Sequence, residues 1–231
     1  MSSPSIHTDM LTLFTEIACI FLALVFGIFA FRYMDRFFRV LFLQVFVWSV
    51  FYGLSYLITS YQQAHQLPID NQWFLNVHLF LETGLLLTAA WFVVPTAFGR
   101  PLIVGSLILF SVVFVLQAWT EGIWIYLNYA DVTACLVLTI VYSMVLYTVS
   151  QRTKQPLWRS PEKWACLGIL LYFACSVPYV SIMNYLQDQH PTVNTFLYYL
   201  ISGVLANLRY LLLALAFLMI YRTSTKQIHT P

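Results

Sequence analysis

His78 and Glu82 stand four residues apart in NVHLFLETGLLLTAAWFVV, a run from Asn76 to Val94 that is otherwise almost wholly apolar. That spacing puts both side chains on one face of a helix. An imidazole and a carboxylate so placed can shuttle a proton, orient one another or hold a ligand. The same pair also reads as a hydrogen-bonded core histidine beside a packing carboxylate. Zinc catalysis needs a third protein ligand, and no second histidine falls at this depth. His78 would likewise stand alone as an axial ligand for haem. Zinc and haem are weakly supported, no metal is assigned, and the cofactor is left unknown.

A carboxylate inside a membrane is costly unless it is protonated or paired. Arg209, in SGVLANLRYLLLALAF, is the basic residue that lies deep in an apolar segment. Glu82 falls about nine residues and Arg209 about 14 residues into segments that run the same way, giving axial offsets of about 14 and 21 Å. A long arginine side chain spans that difference, so an Arg209–Glu82 pair is expected. It reads equally as a working site and as a clamp that holds helices in register.

Other polar residues gather in the same half of the predicted bundle. Glu16 lies in the outer third of the first segment, and Asp131 opens the fifth. Tyr198 stands 11 residues before Arg209 and is expected on the same helix face, one layer higher. Gly203 and Asn207 form a small-and-polar stripe suited to helix contact. Gln44, Trp48, Tyr52 and Tyr56 climb the second segment at four-residue spacing, as a pocket lining or as aromatic core. With His78 and Glu82, these groups predict an outward-facing polar pocket above an apolar inner half. A continuous pore would need polar lining at both ends.

The elements that must carry these residues are apolar helices. The 231-residue chain is 61% hydrophobic, 18% aromatic and 9% charged, where a soluble domain carries about 25% charged residues. Seven apolar segments are expected, near 11–31, 37–59, 73–94, 102–119, 125–149, 164–186 and 195–221. Each covers about 30 Å as a helix. The reading is an all-α, polytopic seven-helix bundle forming a single transmembrane domain over residues 1–231. The connections are too short to hold a soluble domain, which excludes a kinase, nucleotidase or DNA-binding activity within them. No basic recognition segment for nucleic acid exists.

Charge sets the expected orientation. Arg32, Arg36, Arg100, Arg152, Lys154, Arg159, Lys163, Arg222 and Lys226 fall in the odd connections and the tail. The N-terminus and even connections carry Asp9, Asp70, Glu121 and Asp188 and no Lys or Arg. The positive-inside rule places the N-terminus outside and the C-terminus inside. Trp73, Trp119, Trp124, Trp158 and Trp164 lie near the predicted interfaces, as an aromatic belt requires. No cleavable signal peptide is expected in MSSPSIHTDM. Cys19, Cys135, Cys166 and Cys175 all lie in apolar runs and read as free thiols. Pro178, inside the sixth segment, is expected to kink it and free the carbonyl of Ala174.

The stretch DNQWFLNVHLFLETGLLLTAAWF, Asp70–Phe92, resembles the third helix of a loose group of small seven-helix membrane proteins of Bacteroidetes-type bacteria. SPEKWACLGILLYFACSVPYVSIMNYL and NTFLYYLISGVLANLRYLLLALAF are similar to their sixth and seventh helices. The chain also resembles the membrane regions of some sensor kinases, without the kinase. The resemblance implies a multi-pass protein of the bacterial inner membrane and marks Asn76, Glu82, Asn184 and Asn207. It implies no reaction. Microbial rhodopsins share only the topology, because the last helix lacks a lysine for a retinal Schiff base. The zinc pattern of seven-helix lipid hydrolases is missing.

Three functions remain open at this point. The first is a sensory or ligand-binding membrane module that takes a small apolar or amphipathic ligand. It would sit among membrane lipids and signal through a cytoplasmic or membrane partner at its basic loops. The second is a small integral membrane enzyme acting on a lipid or isoprenoid, with His78 and Glu82 as acid–base groups. The third is a transporter or channel subunit.

Overall fold

The computed structural model describes residues 6–65, 72–95, 99–153 and 155–228. Asp70 and Lys154, used above to orient the chain, lie outside the described residues. The fold is all-α. Six helices are α1 (Ile6–Ala30), α2 (Arg36–Ala64), α3 (Gln72–Val93), α4 (Gly99–Glu121), α5 (Asn128–Arg152) and α6 (Pro161–Gln189). The last membrane span is composite: α7 (Pro191–Tyr198), a π-helical segment Tyr199–Leu205, and α8 (Ala206–Ile228).

Among the described residues, seven helical spans are long and apolar enough to cross a bilayer. Phe14, Leu57, Ile108, Val115 and Tyr147 each leave more than half their surface uncovered by protein. Apolar side chains turned outward over many helices require an apolar solvent. Helices satisfy their own backbone hydrogen bonds, which is what lipid demands of a spanning chain. The protein is a multi-pass membrane protein.

Two compact units are present: Met1–Asp35 with Leu146–Pro231, and Arg36–Val145. In the first unit, α8 packs against both α1 and α6. Gly168 permits the close approach of α6 to α8. A Cβ there would meet the Leu212 Cβ at 3.1 Å and the Arg209 carbonyl oxygen at 3.3 Å, so this contact depends on a small residue. Tyr221 closes the lower end against Phe29 and Tyr33, with ring centroids at 6.1 and 6.4 Å. Ser160 caps α6 by accepting from the Lys163 backbone N–H, and Pro161 occupies its first turn. The Lys163 ammonium donates to the Thr153 and Gln155 carbonyls at 3.1 and 2.7 Å, tying down the connection that precedes α6. Helix α6 continues through Pro178 without a break in the helix.

In the second unit, α3 packs against α2 and α4. The pairs Gln44–Glu82, Trp48–His78 and Phe51–Phe74 are in contact. Numbers rise along α2 as they fall along α3, so the two helices are antiparallel. Phe110, Phe114, Leu127, Ala130 and Ala134 form a buried core between α4 and the start of α5, with Leu79 of α3 against it. The Tyr142 hydroxyl donates to the Leu86 carbonyl at 3.0 Å, linking α5 to α3. Cys19, Cys135 and Cys166 are buried free thiols, and Cys175 is an exposed one.

Candidate functional site

Two pairs with four-residue spacing face each other across α2 and α3: Gln44 with Trp48, and His78 with Glu82. Glu82 lies ten residues into α3, about 15 Å from its start, and Gln44 lies eight residues into the antiparallel α2, about 12 Å from the opposite end. The two offsets sum to nearly the thickness of a hydrocarbon core, about 30 Å. The contact therefore falls in the middle of the span.

The Gln44 side-chain amide donates to Glu82 Oε1 at 3.0 Å. His78 Nδ1 stands 4.0 Å from Glu82 Oε2. That is an ion-pair distance when the ring is protonated and too long for a hydrogen bond. The His78 ring is enclosed by aromatics, with the Trp48 centroid at 4.1 Å and the Phe51 centroid at 5.5 Å. Gln44 and His78 are buried, and Glu82 is nearly so.

Among the described residues, two polar atoms of this cluster find no hydrogen-bond partner. They are the Gln44 carbonyl oxygen, an acceptor, and the Trp48 indole N–H, a donor. Buried polar atoms are nearly always satisfied, and those that are not call for an explanation. An acceptor and a donor left over on one helix face, one turn apart beside a carboxylate, are complementary to a small group that can both give and take a hydrogen bond.

Asp131, at the start of α5, is in the same unit. The Tyr126 hydroxyl donates to its Oδ2, and the Cys135 thiol lies 3.7 Å from its Oδ1. The spacing of the second-helix stripe was visible in the sequence, but the pairing of Gln44 with Glu82 needed the helix-to-helix register.

Asn76, two residues before His78 and so on the other side of α3, has a different task. Its amide donates to the Ile123 and Ile125 carbonyls at 2.8 and 2.7 Å, and its oxygen accepts from the Leu127 N–H at 3.2 Å. It is fully buried and pins the turn between α4 and α5. Gln117 assists by accepting from the Ala130 N–H at 3.0 Å while donating to Glu121 at 2.9 Å. Both residues satisfy backbone groups that a helix end leaves open.

In the first unit, Arg209 is buried, 2% exposed. Its guanidinium carbon lies 4.9 Å from the Tyr172 ring, 5.4 Å from Phe173 and 5.0 Å from Tyr210. Three aromatic faces around one guanidinium favour its planar, weakly hydrated cation over an ammonium. The Asn207 amide reaches Thr15 Oγ1 of α1 at 3.3 Å, beside the partly buried Glu16. Tyr198 is 54% exposed and packs edge-on against Tyr199 at 5.9 Å. It does not share the buried setting of Arg209. The π-helical segment between them changes the angular step per residue, so an α-helical count across it misplaces the face. Asn184 is exposed on α6.

Among the described residues, no group of three or more His, Cys, Asp or Glu is gathered to hold a metal ion. Compared with protein-family models, with curated proteins and with solved structures, the chain matches none.

Proposed function

We propose that the chain acts as a single seven-helix transmembrane domain, a sensory or ligand-binding module of a bacterial inner membrane. Its N-terminus is outside and its C-terminus inside. The reading is supported above all by the mid-span cluster of Gln44, Trp48, His78 and Glu82, with its two unpartnered buried atoms beside a carboxylate. The ligand is a small amphipathic molecule with a hydroxyl-like head. That head donates to the Gln44 carbonyl, accepts from the Trp48 indole, and leaves its apolar part among Phe51 and Phe74. A partner at the basic face reads the change, in the manner of the sensor-kinase membrane regions that the chain resembles. Asp131, at the start of α5 in the same unit, borders the approach in this proposal.

The test is thiol accessibility. Cys19, Cys135, Cys166 and Cys175 are replaced, and Trp48→Cys and His78→Cys are probed in vesicles of both orientations with impermeant reagents. Reaction from the outer face alone is expected. Reaction from both faces would favour transport, and reaction from neither would remove the pocket.

A second reading, a small membrane enzyme on a lipid or isoprenoid, is favoured by the nearness of His78 to Glu82. It predicts that His78→Gln abolishes turnover while ligand binding survives. A sensory module with a hydrogen-bonding His78 retains part of its response in that variant.

A further inference from the structure

The basic end of the Arg36–Val145 unit holds two arginines in one unusual setting. Arg36 opens α2, and its guanidinium carbon lies 5.9 Å from the Phe92 ring. Arg100 is the second residue of α4, and its guanidinium carbon lies 4.6 Å from the Trp91 ring. Trp91 and Phe92 are consecutive residues in the last turn of α3. All four side chains thus belong to the ends of three membrane spans, at the level where aromatic rings meet lipid headgroups.

The charge here is unbalanced. Arg36, Arg39 and Arg100 belong to this end of the unit, and no acidic residue occurs between Arg36 and Arg100 except Asp70 and Glu82. Glu82 is at mid-span, and Asp70 precedes the far end of α3. Asp35, one residue before α2, carries a single negative charge against three positive ones. The Arg100 Nε is buried without a hydrogen-bond partner among the described residues. A guanidinium laid over a ring keeps its N–H edges available, and those edges match phosphate oxygens in a planar, two-pronged way that an ammonium does not.

We propose that Arg36 and Arg100, held over Phe92 and Trp91, form a binding site for the phosphate of an anionic lipid in the leaflet bordering this end. The rings set the arginines at headgroup depth, and the exposed Phe92 offers a surface for the first methylenes of an acyl chain. The site stands apart from the Glu82 cluster and does not depend on the function proposed above.

The test uses the full chain in a neutral detergent, titrated with phosphatidylglycerol or phosphatidylcholine, with thermal unfolding and native mass spectrometry as readouts. The wild type is expected to bind phosphatidylglycerol about tenfold more tightly than phosphatidylcholine, given the attraction of each arginine for an anionic surface. The pair R36Q and R100Q should lose that preference. The pair R159Q and R222Q removes equal charge from other basic positions and should keep it. The pair R36K and R100K keeps the charge and provides a folded reference, and it should lose most of the preference. Equal losses in both glutamine pairs would overturn the site in favour of a diffuse basic surface. Full retention by the lysine pair would overturn the stacked geometry. Equal protection by inorganic phosphate would overturn a lipid in favour of a free anion.

Discussion

Gln44 of α2 donates a hydrogen bond to Glu82 of α3 at 3.0 Å, in the middle of the membrane span. No backbone group is involved, so the contact reports directly on the register of two helices. Losing the donor leaves a buried carboxylate oxygen short of a partner, at a cost of about 1–3 kcal/mol. Gln44→Met is therefore expected to lower stability by that amount in a denaturation titration in detergent micelles. In combination with Glu82→Met the loss should be less than additive. Strict additivity would mean that the bond contributes nothing.

The Arg209–Glu82 pair expected from the sequence makes a separate demand. If it is dry, removing Glu82 alone costs about 3–5 kcal/mol, and replacing both residues by Met and Gln recovers much of it. A thermal double-mutant cycle measures this directly, and independent effects would end the pairing. Arg209→Lys tests the aromatic surround by itself. It keeps the charge but gives up the planar fit to Tyr172, Phe173 and Tyr210, and is expected to cost about 1–2 kcal/mol.

Asn76→Ala is expected to be more damaging than Gln44→Met. It strands the Ile123 and Ile125 carbonyls and the Leu127 N–H at once. Water near the helix ends will relieve part of this, leaving about 2–4 kcal/mol. Hydrogen exchange should show the turn between α4 and α5 opening while α2 stays protected. Asn76→Asp keeps the acceptor alone and should fall between the two.

Orientation is open to a labelling experiment. A cysteine replacing Gln189, at the end of α6, should react with an impermeant thiol reagent in intact cells. One replacing Gln155, before α6, should react only after lysis. The reverse pattern would invert the topology.

Much of the architecture was legible because lipid leaves a chain few choices. Long apolar runs must be helices, and the arginines of the odd connections mark one side. The pairing of His78 with Glu82 was legible too, since it follows from spacing on a single helix. Contacts between helices were not. Gln44 stood in a visible stripe, yet nothing in its own segment said that its amide faces Glu82. Asn76 was noticed without its task, because its partners are backbone groups about 50 residues away, set by a turn whose path no local pattern reveals. Tyr198 was assigned to the face of Arg209 by an α-helical count, and the π-helical segment invalidates that count.

The lengths of the helices carry one more consequence, for where the water begins. Helix α6 has 29 residues, about 43 Å, and the span Pro191–Thr225 has 35 residues, about 52 Å, against a hydrocarbon thickness of about 30 Å. A tilt of about 20° absorbs only about 3 Å of the longer one. With Trp164 and Tyr221 at one interface, about 20 residues carry each helix to the other. That level falls near Asn184 on α6 and near Ile201 on the composite span. The corner made by Asp188, Gln189, His190 and Pro191 thus stands clear of the lipid. The π-helical segment straddles that boundary: Tyr199 and Leu200 lie on its water side, where water can satisfy carbonyls that an irregular turn exposes, and the rest enters the hydrocarbon, where the helix must satisfy its own backbone.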